Sequence, residues 1–344
     1  MEEFGAKVLL EISQFWVSKA RKEEGEERYH IDHVMGPDEF HEKLPGSSEG
    51  GLTDNAYSNI MMSWMLDKSL RILREMSAEQ RTRILTQLSI SDDDLARWHD
   101  IMRKLSININ RDGVIEQFMG YFDLAELDWD HYKKNYEDIH RLDRILKAEG
   151  KSPDEFKLSK QADLLMSFYN LGEKDVRSIL NLLGYAVPED YLETNFDYYI
   201  QRTSHGSTLS RLVHARLAWQ MGRKEIGWGL YMDALRSDLV DIQGGTTGEG
   251  VHCGVMAGTV CDVIFTFGGI DLRGDYPLIN PSLPTHWRCL EFGFSFKGTH
   301  FKVAISREKF MIFTEYSGKE KIIVDLCGVH TILPKGEWFT VKYN

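Results

Sequence analysis

Four short segments of this chain hold side chains suited to chemistry. The first is Gly36-Pro37-Asp38-Glu39-Phe40-His41. Pro37 fixes the backbone beside the permissive Gly36, so two carboxylates are presented at a defined place. Phe40 next to Glu39 predicts partial desolvation, which raises a carboxyl pKa toward what a general acid needs at neutral pH. A loop of ordinary solvated acids has the same spelling. The second segment is Ser159-Lys160-Gln161-Ala162-Asp163. Ser159 reads as the N-cap of a helix over 159–170, with Lys160 and Gln161 in its first turn as donors for sugar hydroxyls. A plain solvated lysine fits equally. The third, His205-Gly206-Ser207-Thr208-Leu209-Ser210, precedes a helix predicted over 207–221. Hydroxyls and free N–H groups at a helix N-terminus suit an anion, or Ser207 is simply a cap. The fourth, Gly248-Glu249-Gly250-Val251-His252, precedes a helix predicted over 252–267. There His252 meets an anion or is a satisfied core histidine.

Taken in order, the four segments resemble the motifs of glycoside hydrolase family 65, the maltose, trehalose, kojibiose and nigerose phosphorylases. That family carries GPDE(Y/F)H, KQAD, H-x-S-(S/T)-L-S and G-(I/V/L)-H in this sequence order, and all four stand here. The resemblance runs the length of the chain. It implies that Glu39 is the general acid, that Lys160 and Gln161 contact the glucosyl unit, and that Ser207, Thr208 and His252 form the phosphate pocket. Family members also carry an N-terminal β-sandwich and the first helices of a toroid, with a Trp-Asp pair that contacts the donor sugar. Here the acid loop already comes at Gly36, so the chain reads as the C-terminal part of such an enzyme.

The activity implied is inverting phosphorolysis of an α-glucosyl disaccharide to β-glucose 1-phosphate. Inorganic phosphate is the co-substrate, with no other cofactor and no metal. The alternatives are an inverting hydrolase, which needs a second carboxylate about 6.5–9.5 Å from the acid, and a saccharide-binding remnant without turnover. Glu249 is the local candidate for a hydrolase base. Acceptor choice is not legible, and the family's tendency to pair makes a homodimer the expected assembly.

The elements that position these residues follow from hydrophobic period. Up to about residue 270 the period is helical: Val8, Leu9, Ile12, Phe15 and Trp16 fall on one face, and further helices are predicted from Thr53 and over 78–88, 91–105, 173–184 and 223–237. From about 285 the period is two, as in Leu290, Phe292, Phe294 and Phe296, then Phe301, Val303 and Ile305. A segment with Pro277, Pro281 and Pro284 lies between. The expectation is a mainly α chain: a partial (α/α)6 toroid over 1–272, N-terminally incomplete, then a small antiparallel β-sandwich-like domain over 285–344.

Composition agrees with an enzyme of small molecules. With 53 acidic and 41 basic residues the formal charge is −12, which argues against nucleic acid and anionic membranes as partners. No apolar run reaches a membrane span, and the first twenty residues do not read as a signal peptide. Cys253, Cys261, Cys289 and Cys327 lack C-x-x-C spacing and are read as reduced packing residues of a cytoplasmic protein.

Overall fold

Helices that bury one face supply the largest share of the regular structure. A computed structural model describes residues 4–242, 245, 247–315 and 321–342. They divide into two compact units, Met1–His214 with Gln243–Gly245, and Ala215–Ile242 with Thr246–Asn344.

In the first unit, α1 (Gly5–Lys19) buries Ala6, Leu10, Ser13 and Val17. This corrects the expected face: Val8, Ile12 and Phe15 are 54%, 43% and 55% exposed. Small side chains decide the orientation. Ser13 Oγ lies 2.8 Å from Ser69 Oγ of α2 (Ala56–Glu75), a close approach that larger residues would forbid. Between the two helices, β1 (Ala20–Arg21) pairs antiparallel with β2 (His30–Ile31). Helix α2 begins later than Thr53 because Asn55 is the cap, accepting the Ser58 N–H. Helices α3 (Ala78–Leu88) and α4 (Asp92–Lys104) open with reciprocal capping boxes, Ser77 with Gln80 and Ser91 with Asp94.

The sequence reading missed α5 (Trp129–Asn135), α6 (Leu142–Ala148) and α9 (Tyr191–Ile200). The first two have 7 residues each, too few to show a period. In α9 the buried stripe is interrupted by Asn195, whose amide serves the Gly113 carbonyl and the Ile115 N–H. The helix expected over 159–170 is α7 (Leu165–Leu171), so Ser159 is not its cap. Ser159 instead bridges to Thr203, and its N–H donates to the Arg202 carbonyl at 2.8 Å. Helix α8 (Glu173–Leu182) falls where expected, and α10 (Thr208–Gln220) opens beyond the third motif.

The second unit contains the end of α10, α11 (Lys224–Arg236) and α12 (Cys253–Asp262), which continues as a π-turn over Val263–Phe267. Its strands are β3 (Ile270–Asp271), β4 (Leu278–Ile279), β5 (Cys289–Phe296), β6 (Thr299–Ser306), β7 (Lys309–Thr314), β8 (Ile322–Leu326), β9 (Val329–Leu333) and β10 (Trp338–Lys342). One sheet has the order β10-β7-β6-β5 and is antiparallel throughout. The other has the order β3-β4-β8-β9 and contains one parallel pair, β4 with β8. The proline-rich segment thus supplies a strand, Leu278–Ile279, which sequence reading treated as linker. The sheets share a core of Phe301, Val303, Ile305, Phe310, Ile322 and Val324, the period-two residues of the sequence.

All four cysteines are free thiols, but Cys253, Cys289 and Cys327 are exposed, which corrects their reading as packing residues. Among the described residues, no helix is long and apolar enough to cross a membrane.

Candidate active site

The loop that presents Glu39 is fastened from below. Gly36 has no room for a side chain: a Cβ there would stand 2.1 Å from Asp163 Oδ2 and 2.2 Å from Asn55 Nδ2. Asp163 is the anchor. Its Oδ2 accepts the Asp38 N–H at 3.0 Å and its Oδ1 accepts from Asn55 Nδ2 at 2.9 Å. Asp38 in turn accepts the Lys160 N–H on Oδ1 at 2.8 Å, while its Oδ2 lies 3.0 Å from His41 Nδ1 and accepts from Gln117 at 3.3 Å. The Gln161 side-chain amide donates to the Pro37 carbonyl. Asp38, His41, Asn55, Gln117 and Asp163 are all buried. One buried network therefore ties the first motif to the second across more than a hundred positions.

Hydrogen-bond capacity fixes the charge of His41. Its Nε2 faces the Phe156 carbonyl at 3.0 Å, which only accepts, and its Nδ1 faces the Asp38 carboxylate. With the Asp38 oxygens accepting from Lys160 and Gln117 as well, both ring nitrogens of His41 donate, and the ring is an imidazolium. Burial alone would lower the His41 pKa, but the hydrogen bond and charge of Asp38 outweigh it and the net shift is upward. Asp163 goes the other way for a carboxyl. Burial, aided by the Asp38 charge and opposed by the bonds from Asp38 and Asn55, raises its pKa to about 7.

Glu39 itself points outward. Its side chain is 58% exposed and its Oε2 lies 2.5 Å from Lys160 Nζ. Phe40 does not cover it, because that ring is buried in a cluster with Leu142, Leu146, Leu158 and Tyr132. The desolvation expected from Phe40 is thus absent in this chain, and Phe40 serves instead as the loop's apolar anchor. Glu39 and Lys160 line a cavity of about 590 Å³ whose wall also holds Arg141, Arg144, Lys147 and Lys151.

The third motif reaches the same place. The Gly206 N–H donates to the Lys160 carbonyl at 2.9 Å, and the Ser204 N–H to the Ser159 carbonyl at 2.8 Å. A Cβ on Gly206 would stand 2.4 Å from the His140 carbonyl and 3.2 Å from Lys160 Cγ. Glycine is therefore required for this approach, which leads directly into Ser207 and Thr208 at the start of α10. His205 turns the chain at φ 54°, with its Nδ1 2.8 Å from Ser210 Oγ. Burial, with His214 and Arg211 nearby, holds the His205 pKa well below the usual value, so this ring is neutral.

His252 belongs to the second unit, at the start of α12. Asp238 grips it twice, accepting the backbone N–H at 2.8 Å and facing Nδ1 at 2.7 Å. The Nδ1 proton therefore points at Asp238, and Nε2 is left for other partners. The side chain of Glu249 lies outside the described residues. Among the described residues, no group of three or more His, Cys, Asp or Glu could hold a metal.

Comparison with known proteins decides the family. Residues 1–261 match the model of the glycosyl hydrolase family 65 central catalytic domain, and residues 270–330 that of the family 65 C-terminal domain. The chain belongs to glycosyl hydrolase family 65. It is 42% identical to the trehalose 6-phosphate phosphorylase of Lactococcus lactis over 90% of this chain and 38% of that protein. To the kojibiose phosphorylase of Thermoanaerobacter brockii it is 29% identical over 95% of this chain and 40% of that one. The solved structure of a human-microbiome protein provisionally assigned as a kojibiose phosphorylase superposes with TM-score 0.79 at 23% identity. That match covers 100% of this chain and 46% of the other. The likeness shows the fold expected of the family 65 sequence, mainly helical with a C-terminal β-region. The chain thus spans less than half the length of each of these relatives.

Proposed function

We propose that the family 65 protein carrying this chain performs inverting phosphorolysis of an α-glucosyl disaccharide. The observation that carries the reading is the Glu39–Lys160 pair lining a cavity, on a loop locked by buried Asp38 and Asp163. A fixed acid with a free face is what leaving-group protonation needs. Glu39 donates a proton to the glycosidic oxygen as the bond to the anomeric carbon breaks. Phosphate attacks that carbon from the opposite face, and β-glucose 1-phosphate leaves with the freed acceptor sugar. The motifs imply that Ser207, Thr208 and His252 contact phosphate. Lys160 orients Glu39 and the glucosyl unit. In this chain the Gln161 amide is engaged with Pro37, so its part is to hold the acid loop.

Trehalose, maltose, kojibiose and nigerose are the candidate substrates that the motifs suggest, and relatives named for trehalose 6-phosphate and kojibiose support disaccharides of this class. In this reading the helices are the later members of an (α/α)6 toroid, inorganic phosphate is the only co-substrate, and the enzyme is a cytoplasmic homodimer. Free thiols at Cys253, Cys261, Cys289 and Cys327 support a reducing compartment.

The test is Glu39→Gln. It should lower cleavage of a natural disaccharide by about 10²–10⁴-fold and spare a glucoside whose leaving group needs no protonation. Equal losses on both substrates would refute the assignment of Glu39 as the acid.

A further inference from the structure

The second unit holds a small cavity that phosphorolysis does not call on. It opens at one end of the two-sheet core, where the β5–β6 hairpin meets the segment before β4 and the start of β8. Lys297 and Gly298 make the hairpin turn with φ of 45° and 80°, the two-residue geometry that matches strand twist. Lys297 then reaches across the gap. Its Nζ lies 5.1 Å from the centre of the Phe296 ring and donates to the Asp275 carbonyl at 3.0 Å. The Asp325 N–H donates to the Pro277 carbonyl at 2.9 Å, which fastens the same segment to β8. The walls are held from both sheets, and about 180 Å³ stays open between them.

Pro277, Phe296, Phe301 and Ile322 give the cavity its apolar surface, and Phe301 and Ile322 belong to the core, one from each sheet. The polar lining is Asp275, Tyr276, Thr299 and Lys321. Thr299 is only 3% exposed. Its backbone serves the ladder opposite Phe296, but its hydroxyl has no hydrogen-bond partner among the described residues. Valine would suit the strand as well and would bring no hydroxyl into a nearly buried place. The Tyr276 hydroxyl and the Lys321 ammonium are also without protein partners among the described residues. The Asp275 side chain is 95% exposed, with Lys297 at 3.5 Å. Donors and acceptors that the fold leaves unspent thus surround an apolar patch that includes two rings.

From this placement we infer that the cavity of the β-domain is a second saccharide site, which holds one hexopyranose unit without converting it. A pyranose offers a C–H face to apolar and aromatic side chains, and a rim of hydroxyls that each donate and accept. Asp275 accepts from such hydroxyls, Lys321 donates to them, and Thr299 and Tyr276 do either. One carboxylate and one ammonium offset each other, which favours a neutral ligand over an anion such as phosphate. The volume lies below the range of about 300–1,000 Å³ that drug-sized ligands fill, so one ring fits and a disaccharide does not. The site goes beyond the proposed reaction and does not depend on the role of Glu39.

A free sugar and the terminal unit of a longer glucan share this chemistry, so both serve as probes. Methyl α-D-glucopyranoside, maltoheptaose, glycerol and inorganic phosphate are titrated into the full chain carrying ¹³C-labelled isoleucine methyl groups. Ile322 and Ile323 line the cavity and report on it, while Ile145, packed in the cluster around Phe40, reports separately on binding beside the acid loop. The titrations are repeated on Thr299→Val and Asp275→Ala. The first keeps the branched shape of the side chain and the second alters an exposed one, so both should fold, as the remaining methyl signals will check. We expect the glucoside to move the Ile322 and Ile323 signals saturably. Each variant should weaken that response about fivefold, the loss of one hydrogen bond, and leave Ile145 as in the parent. Maltoheptaose binding about tenfold more tightly than the glucoside would support a glucan end as the natural occupant, and equal binding a single sugar; both outcomes uphold the site. No saturable shift at Ile322 and Ile323, equal shifts with glycerol, shifts with phosphate alone, or an unchanged response in both variants would overturn it.

Discussion

The chemistry of the acid loop turns on residues that never reach the solvent. His41 is a buried cation and Asp163 a buried carboxyl whose pKa has risen to about 7. The two have defined signs. For His41, the folded pKa lies above the ordinary 6.5, so its stabilisation is complete below pH 6.5 and is lost as pH rises through the folded value. For Asp163, the unfolded chain ionises near pH 3.8 while the folded protein keeps its proton until about pH 7. The folded state then binds more protons, and stability falls with rising pH across that window. Asp163→Asn should remove this slope, so the melting temperature of the variant should gain on the parent between those limits. Parallel melting curves at every pH would show that Asp163 does not titrate in this way. In sequence, Asp38, His41 and Asp163 are visible only as letters of motifs. Their joint role depends on partners more than a hundred positions away, which no local period reports.

At the scale of elements, the site depends on close approaches. Gly36→Ala would place a methyl group inside contact distance of Asp163 and Asn55. A cost of about 1–3 kcal/mol is expected from such overpacking, and thermal unfolding will read it. Activity should fall further than stability, because the loop that moves carries Glu39. In the second unit, Arg216 Nη2 lies 2.6 Å from Asp262, which is 1% exposed. Burial pushes the Asp262 pKa up against the pull of Arg216, so the carboxyl needs its partner. Arg216→Met should cost about 3–5 kcal/mol by stranding that carboxyl, and a double change with Asp262→Leu should recover most of it in urea unfolding. Long helices and the alternating strands were legible, since period is a local property. The start of α7 was misplaced because Ser159 spends its N–H on a distant carbonyl rather than on a helix. The face of α1 was misread because the buried stripe is Ala6, Leu10, Ser13 and Val17, with the polar Ser13 set against Ser69 of α2.

For the whole molecule, the claim is that a bond to glucose is broken by phosphate and not by water. The order of four motifs carried that claim in the sequence, and membership of family 65 supports it. The cationic wall of α6 could not be anticipated, because a helix of 7 residues leaves no pattern to show which side its charges take. The most direct measurement follows the full protein by ³¹P and ¹H NMR with each candidate disaccharide, in the presence and absence of inorganic phosphate. The account predicts β-glucose 1-phosphate formed in step with phosphate consumed, and no glucose released without phosphate. Glucose released at the same rate in both conditions, or the α-anomer of glucose 1-phosphate as first product, would contradict it.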